Sequence, residues 1–320
     1  MTDIKMLTPK ECAERLLKMD KVAVLTHARP DADTVGTAAA LCTALLSLGK
    51  DAAILSPDPI PKRLAFLVEK LPLIEELSDR VPVAVDVASR SQLGRLSETD
   101  VTLTMDHHAT SSPFSDHYTV GDASSAAEVV YNVLLELEAI SEFRMSHDVA
   151  YGLYAAMSSD TGGFIFSSAD AKAHRVAASL IECGIDFADI NHRLFNSKSE
   201  ERIKAEGFVG SKIKSALGGR VSYATLSKRE REDVGLSLEE FDGSVDVVRA
   251  LEGAEIAFFV RENEDGSFRA SLRSTGFNVS EIAAELGGGG HIRAAGCSPK
   301  AESAEAAAEL IVEMIKERLQ

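Results

Sequence analysis

Short apolar runs at Val22–Leu25, Ala52–Leu55, Val83–Val87 and Val101–Met105 punctuate the first half of the chain, and longer stretches with helical periodicity separate them. Such runs read as strands, because they are short and bounded by turn residues. Strands that alternate with helices favour a parallel sheet, since each parallel crossover must return along a sheet face and usually does so as a helix. Val35–Leu48 is rich in Ala and Leu and closes at Gly49, a helix with its C-terminal glycine. Further helices are expected at Ala126–Glu138, His147–Met157 and Ala171–Glu182, the last followed by Gly184.

Beyond Gly218-Gly219 the pattern changes. Val221–Leu226, Glu255–Arg261 and Ser267–Arg273 read as strands, the last two joined by a turn at Asn263–Gly266, and a helix with one apolar stripe is expected over Ala301–Leu319. Ser197–Leu217 is polar and rich in Lys and Glu, with Ile203, Phe208 and Ile213 too sparse for a central core helix. The expected architecture is α/β: residues 1–196 a parallel-sheet domain with helices on both faces, 197–217 a linker helix, and 218–320 a smaller mixed-sheet domain. A length of 320 residues suits two domains of about 150 residues each, and two domains make a cleft available.

In an open α/β sheet, functional groups gather beyond the carboxyl ends of strands. Here the first strand leads into Thr26-His27-Ala28-Arg29-Pro30-Asp31-Ala32-Asp33, the third into Asp86 and the fourth into Asp106-His107-His108, while a helix leads into Ser158-Ser159-Asp160-Thr161-Gly162-Gly163. A lone Asp86 or Asp160 reads as a helix cap or turn residue, and a lone His27 as structural. Adjacent His107 and His108 resist that reading, since neighbours at a strand end point to opposite sides. Together the segments form a metal-ligand set on one sheet edge. Imidazole with carboxylate suits Mn, Fe, Co or Zn better than Mg or Ca. One His, four Asp and one or both of the paired His suffice for two ions sharing a carboxylate, an arrangement that clamps the oxygens of an in-line displacement at phosphorus. Four carboxylates nearly cancel that charge, so phosphate binding needs further donors.

The second domain offers them. Asn278 begins a helix, with Glu281 three residues later, that ends at Gly287-Gly288-Gly289-Gly290-His291. A hinge would explain consecutive glycines, but His291 beside them and Arg273-Ser274 at a strand end point toward an anion site.

Charge and cysteines bound the partners. Lys and Arg total 34 against 50 Asp and Glu, a formal charge of −16. This opposes counterion-driven binding to long nucleic acid, so a nucleic-acid substrate is expected to be short and no long duplex to bind. The four cysteines, Cys12, Cys42, Cys183 and Cys297, form no CxxC pair, which suits a reducing, cytoplasmic compartment. Thr2–Asp20 shows helical spacing without the apolar core of a secretory signal, and no stretch approaches the ~18 apolar residues of a membrane span.

His27-x-x-x-Asp31-x-Asp33, Asp86, Asp106-His107-His108 and Asp160 resemble, in order and spacing, the DHH phosphoesterase superfamily, and the Gly-Gly-Gly-His run resembles its DHHA1 domain. The resemblance covers nearly the whole chain and looks like the nanoRNase group. It implies His27, Asp31 and Asp86 as ligands of one metal, usually manganese with magnesium or cobalt as alternatives. Asp33, Asp86, His107 and Asp160 would be those of a second, with Asp86 bridging. It implies His108 facing the scissile phosphate, Asp106 supporting the triplet, and Arg273, Ser274, Gly288, Gly289, Gly290 and His291 binding substrate. The implied activity is hydrolysis of RNA of two to a few nucleotides, linear dinucleotides included, and removal of the 3′-phosphate of 3′-phosphoadenosine 5′-phosphate; a homodimer is left open. Gln92 and Ser111 depart from the family pattern, which has Arg and Asn there, and Arg90 or Arg95 is a candidate substitute. The alternatives are a nucleotide-binding regulatory protein without turnover and another DHH hydrolase such as a pyrophosphatase.

Overall fold

Six parallel strands form the sheet of the first compact unit, Met1–Ser197, in the computed structural model, which describes residues 4–319. Thr2 and Asp3 of the expected N-terminal stretch, and Gln320 at the end of the expected second domain, lie outside the described residues. The strands are β1 (Lys21–Leu25), β2 (Asp51–Leu55), β3 (Leu73–Ile74), β4 (Val81–Val85), β5 (Leu103–Asp106) and β6 (Asp116–Thr119), in the order β3-β2-β1-β4-β5-β6. The winding reverses between β1 and β4, so a crevice opens at the carboxyl ends of those two strands.

Strand residues alternate between two apolar layers. Val22, Val24, Ile54, Val83 and Val85 face the large core built by the long helices, including Ala32–Ser47, Ala126–Ile140 and His147–Asp160. Ala23, Leu25, Leu55 and Ala84 face a smaller layer closed by Leu93 and Leu96 of the 3-10 segment Arg90–Leu96 and by Val101 and Phe114. β3 and β6 are absent from the sequence reading because one has two residues and the other, Asp-His-Tyr-Thr, is a polar edge strand. β4 stops two residues before the expected Val87, since Asp86 takes a left-handed backbone conformation, φ 58°, and leaves the ladder.

The second unit, Lys198–Gln320, carries a mixed sheet. Its strands are β7 (Lys214–Ala216), β8 (Val221–Leu226), β9 (Ile256–Glu262), β10 (Phe268–Ser274), β11 (Gly289–His291) and β12 (Ala294–Cys297), in the order β11-β12-β10-β9-β8-β7. Among the described residues β8 and β9 pair in parallel and the other neighbouring strands of this sheet pair antiparallel. Helices Val279–Glu285 and Ala304–Arg318 pack on one face through Ile282, Ala283, Ile311 and Ile315.

The helix expected as a linker, Glu200–Ser211, packs inside this unit. Ala205 and Val209 are fully buried and join Phe208 and Ile213 against Phe241, Val245 and Phe259 on the other face. A small residue completes the buried stripe, Ala205 lying four residues before Val209 on the same helix face.

Candidate metal centre

Both histidines that anchor the centre are oriented by the main chain. His27 lies two residues past β1, with Nδ1 2.8 Å from the Ala28 carbonyl oxygen. A carbonyl only accepts, so Nδ1 carries a proton, which leaves Nε2 as the nitrogen that could give a lone pair to a cation. That Nε2 faces Asp31 Oδ1 at 3.6 Å and Asp86 Oδ2 at 3.4 Å. His107 repeats the device: Nδ1 is 3.3 Å from the Ala123 carbonyl oxygen, and Nε2 faces Asp33 Oδ2, Asp86 Oδ1 and Asp160 Oδ2 at 3.7, 3.6 and 3.7 Å. These separations of 3.4–3.7 Å are longer than the usual hydrogen bond. They lie close to the edges, about 3.0–3.4 Å, of a coordination shell with bonds of about 2.1 Å.

The carboxylates are placed by helix ends. Asp31 caps helix Ala32–Ser47, its Oδ1 accepting from the amides of Asp33 and Thr34 at 3.0 and 3.2 Å, so the residue that caps the helix also faces His27. Asp33 accepts from the Ala126 and Ala127 amides, at 2.8 and 3.3 Å, at the start of helix Ala126–Ile140. Asp160 closes helix His147–Asp160, the negative end of the helix dipole, where a carboxylate is unfavourable without a positive neighbour.

The electrostatics call for cations. Asp86 is buried, its Oδ1 has no hydrogen-bond partner among the described residues, and its strained backbone aims the carboxylate at both histidines. Burial, then the charges of Asp86, Asp160 and Asp31, push Asp33 well above the usual carboxylate range. Burial raises Asp160 to about 6, opposed by His107 and reinforced by Asp86 and Asp31. His27 is raised to about 11: burial opposes its charge, but Asp31 and Asp86 outweigh it. A proton shared among such groups marks where divalent ions fit better, and the imidazole and carboxylate donors suit them.

His107 and His108 do not diverge as the strand-end argument expects. β5 ends at Asp106, alternation ends with it, and both rings turn to Asp86 Oδ1, His108 Nδ1 lying 3.7 Å away. His108 Nδ1 is also 2.8 Å from Asp106 Oδ1. Burial opposes ionisation of Asp106, yet His108 and the Ser111 hydroxyl hold it below the usual carboxylate range. Gln92, at a departure from the family pattern, accepts from the Ala88 and Ser89 amides at 2.6 and 3.2 Å. Arg90 and Arg95, the candidate substitutes, both donate to main-chain carbonyls. Arg90 is spent on the carbonyls of Ser97, Thr99 and Phe114, and Arg95 on those of Pro57, Glu75 and Ser56.

In the second unit the glycine run is a hairpin edge rather than an open loop. Gly287, φ 73°, ends the helix, and a Cβ on Gly288 would lie 2.0 Å from the Gly296 carbonyl oxygen. A Cβ on Gly290 would lie 2.5 Å from that of Ala294, whereas Gly289 has open space. Register puts Arg273 and His291 on either side of Ala294, so all three share one face of the sheet. Arg269, Ser271, Gly296 and Gly289 occupy that face by the same alternation, and the apolar cluster covering it stops at β9. Ser274 hydroxyl bonds the Phe277 carbonyl and shapes the turn beyond Arg273. Sequence reasoning missed Arg269 on this face, and it missed the Ala123, Ala126 and Ala127 backbone groups, which carry no side-chain signal.

Residues 21–157 match the DHH family N-terminal domain and residues 218–317 match the DHHA1 domain. The chain belongs to the DHH family of phosphoesterases, in the branch that carries DHHA1. Over 308 residues it is 32% identical to the bifunctional oligoribonuclease and PAP phosphatase NrnA of Thermus thermophilus, covering 93% of this chain and 90% of that protein. Its fold is similar to that of an exopolyphosphatase-related protein from Bacteroides fragilis, with a TM-score of 0.87, 24% identity and 97% of each chain covered. Exonuclease RecJ bound to manganese shares the fold at a TM-score of 0.55 and 15% identity, covering 98% of this chain and 95% of that one. Among the described residues no helix is long and apolar enough to cross a membrane.

Proposed function

We propose that this chain is a two-metal phosphoesterase that hydrolyses very short oligoribonucleotides, linear dinucleotides included, to mononucleotides and removes the 3′-phosphate of 3′-phosphoadenosine 5′-phosphate. The observation that carries the reading is the carboxylate of Asp86, with one oxygen toward His27 Nε2 at 3.4 Å and the other toward His107 Nε2 at 3.6 Å. A bridging ligand between two ions has that disposition.

His27, Asp31 and Asp86 would hold one ion, and Asp33, Asp86, His107 and Asp160 the other, manganese being favoured by the donors and magnesium or cobalt the alternatives. When bound, the pair supplies Lewis acidity and lowers the pKa of water. His108, whose Nδ1 lies 2.8 Å from Asp106 Oδ1, would face the scissile phosphate. In the second unit, Arg273 and His291, which share one face of the sheet, together with Ser274 and the backbone at Gly288, Gly289 and Gly290, would be the substrate-binding groups. Net charge of −16 supports a short substrate. Four free cysteines support a reducing, cytoplasmic setting. The NrnA relative's name supports the substrate pair. A regulatory protein without turnover and a pyrophosphatase are less favoured, because all six ligand positions are filled and residues 218–317 match DHHA1.

The test is a manganese-supported hydrolysis panel of RNAs graded in length, 3′-phosphoadenosine 5′-phosphate, linear dinucleotides and pyrophosphate. Mononucleotides released fastest from the shortest RNAs support the reading. Turnover of pyrophosphate alone overturns it.

A further inference from the structure

The second group of ligands takes its shape from a stretch that contributes no ligand. The Ala123 carbonyl orients His107 through Nδ1, and the Ala126 and Ala127 amides hold both oxygens of Asp33. Residues 123–127 therefore aim two of the four ligands of that group.

Glu128 holds the stretch in place. Its side chain is buried, and its Oε2 accepts from the Ser124 amide and hydroxyl at 2.9 and 2.7 Å. Oε1 pairs with Lys172 Nζ at 2.8 Å. An ordinary capping box would turn this glutamate back to the amide of the N-cap, Ser125. Glu128 instead reaches one residue further, to Ser124, while Ser125 caps the helix by accepting from the Glu128 amide. Lys172 stands in the first turn of helix Ala171–Glu182, the next helix after the one that ends at Asp160. The ion pair thus ties the element aiming Asp33 and His107 to the segment that follows the fourth ligand. Burying this carboxylate is tolerated only because all its partners are present.

We propose that Glu128, pinned by Lys172, is a positioning residue for the cation held by Asp33, Asp86, His107 and Asp160. It sets the turn at Ala123–Ser125 and so tunes affinity for that ion alone. The inference rests on the two-metal reading above.

Manganese titrated into the metal-free full chain without substrate, followed by the electron paramagnetic resonance of the free ion, tests it. The wild type is expected to take up two ions. Glu128→Gln is expected to weaken one of them by about 10–100-fold and leave the other within about twofold, the usual range for groups that orient a ligand. Lys172→Met weakens the same ion by a smaller factor. Unchanged affinities, or equal weakening of both ions in chains whose circular dichroism is native, overturn the proposal. Should Glu128→Gln fail to fold, Lys172→Met decides by itself, its side chain being half exposed. A wild type that binds no manganese removes the two-metal reading and this inference together. A wild type that binds two, with no selective loss in the variants, removes the inference alone.

Discussion

Gly36 and Gly152 face each other where helices Ala32–Ser47 and His147–Asp160 cross, each backbone filling the space of the other's missing side chain. A Cβ on Gly36 would lie 2.6 Å from the Gly152 carbonyl oxygen, and one on Gly152 would lie 2.7 Å from that of Gly36. These two helices carry Asp33 in one first turn and Asp160 at the other's end, so their close approach helps set the width of the centre. Alanine elsewhere in a helix stabilises by about 0.5–1 kcal/mol over glycine. Here Gly36→Ala and Gly152→Ala are each expected to destabilise, by about 1–3 kcal/mol as overpacked sites do. Urea unfolding checks the sign, and a stabilised variant would show that the crossing is loose.

Removing cations should loosen the first unit. Asp31, Asp33, Asp86 and Asp160 then keep their mutual repulsion, expressed in the raised Asp33 and Asp160. Chelation is expected to lower the melting temperature, and manganese at about one hundred times its dissociation constant to restore about 2.7 kcal/mol. An indifferent melting curve contradicts this.

His108 and Asp106 should act on turnover rather than on metal uptake. His108→Ala is expected to cost about 10²–10⁴ in kcat, the range of a positioned proton donor. Asp106→Asn keeps an acceptor for Nδ1 but loses the charge, and a smaller loss is expected. Steady-state kinetics with parallel metal analysis separates the effects, and loss of bound metal in His108→Ala would assign it a ligand role instead.

The cysteines make a pH prediction. Burial raises Cys12 and Cys42 to about 12 and Cys297 to about 11, from an ordinary value of 9.0. Above that ordinary value the unfolded chain loses thiol protons that the folded chain keeps. Their contribution is therefore fully present below about 9 and is lost as pH rises toward 11 and 12. Iodoacetamide at pH 8 is expected to label these three thiols only after denaturation. Rapid native labelling would contradict their burial.

The parallel sheet was legible because buried strands such as Val22–Leu25 are short, apolar and separated by helices. The cluster of His27, Asp31, Asp33, Asp86, His107 and Asp160 was legible because strand and helix ends display their carboxylate and imidazole side chains in the sequence. The polar edge strand Asp116–Thr119 was not, since its place is set by pairing with β5 rather than by its own apolar pattern. Nor was the fate of Arg90 and Arg95, whose guanidiniums close loops through carbonyls distant in sequence. Gly288 and Gly290 suggested a phosphate loop, but the space they leave is filled by the facing hairpin strand.

The shared carboxylate is tested most directly by counting manganese in Asp86→Asn. The wild type should bind two ions per chain, and the variant, with folding intact, should lose tight binding of both along with turnover. An Asp86→Asn chain that still binds two ions and hydrolyses short RNA would contradict the account.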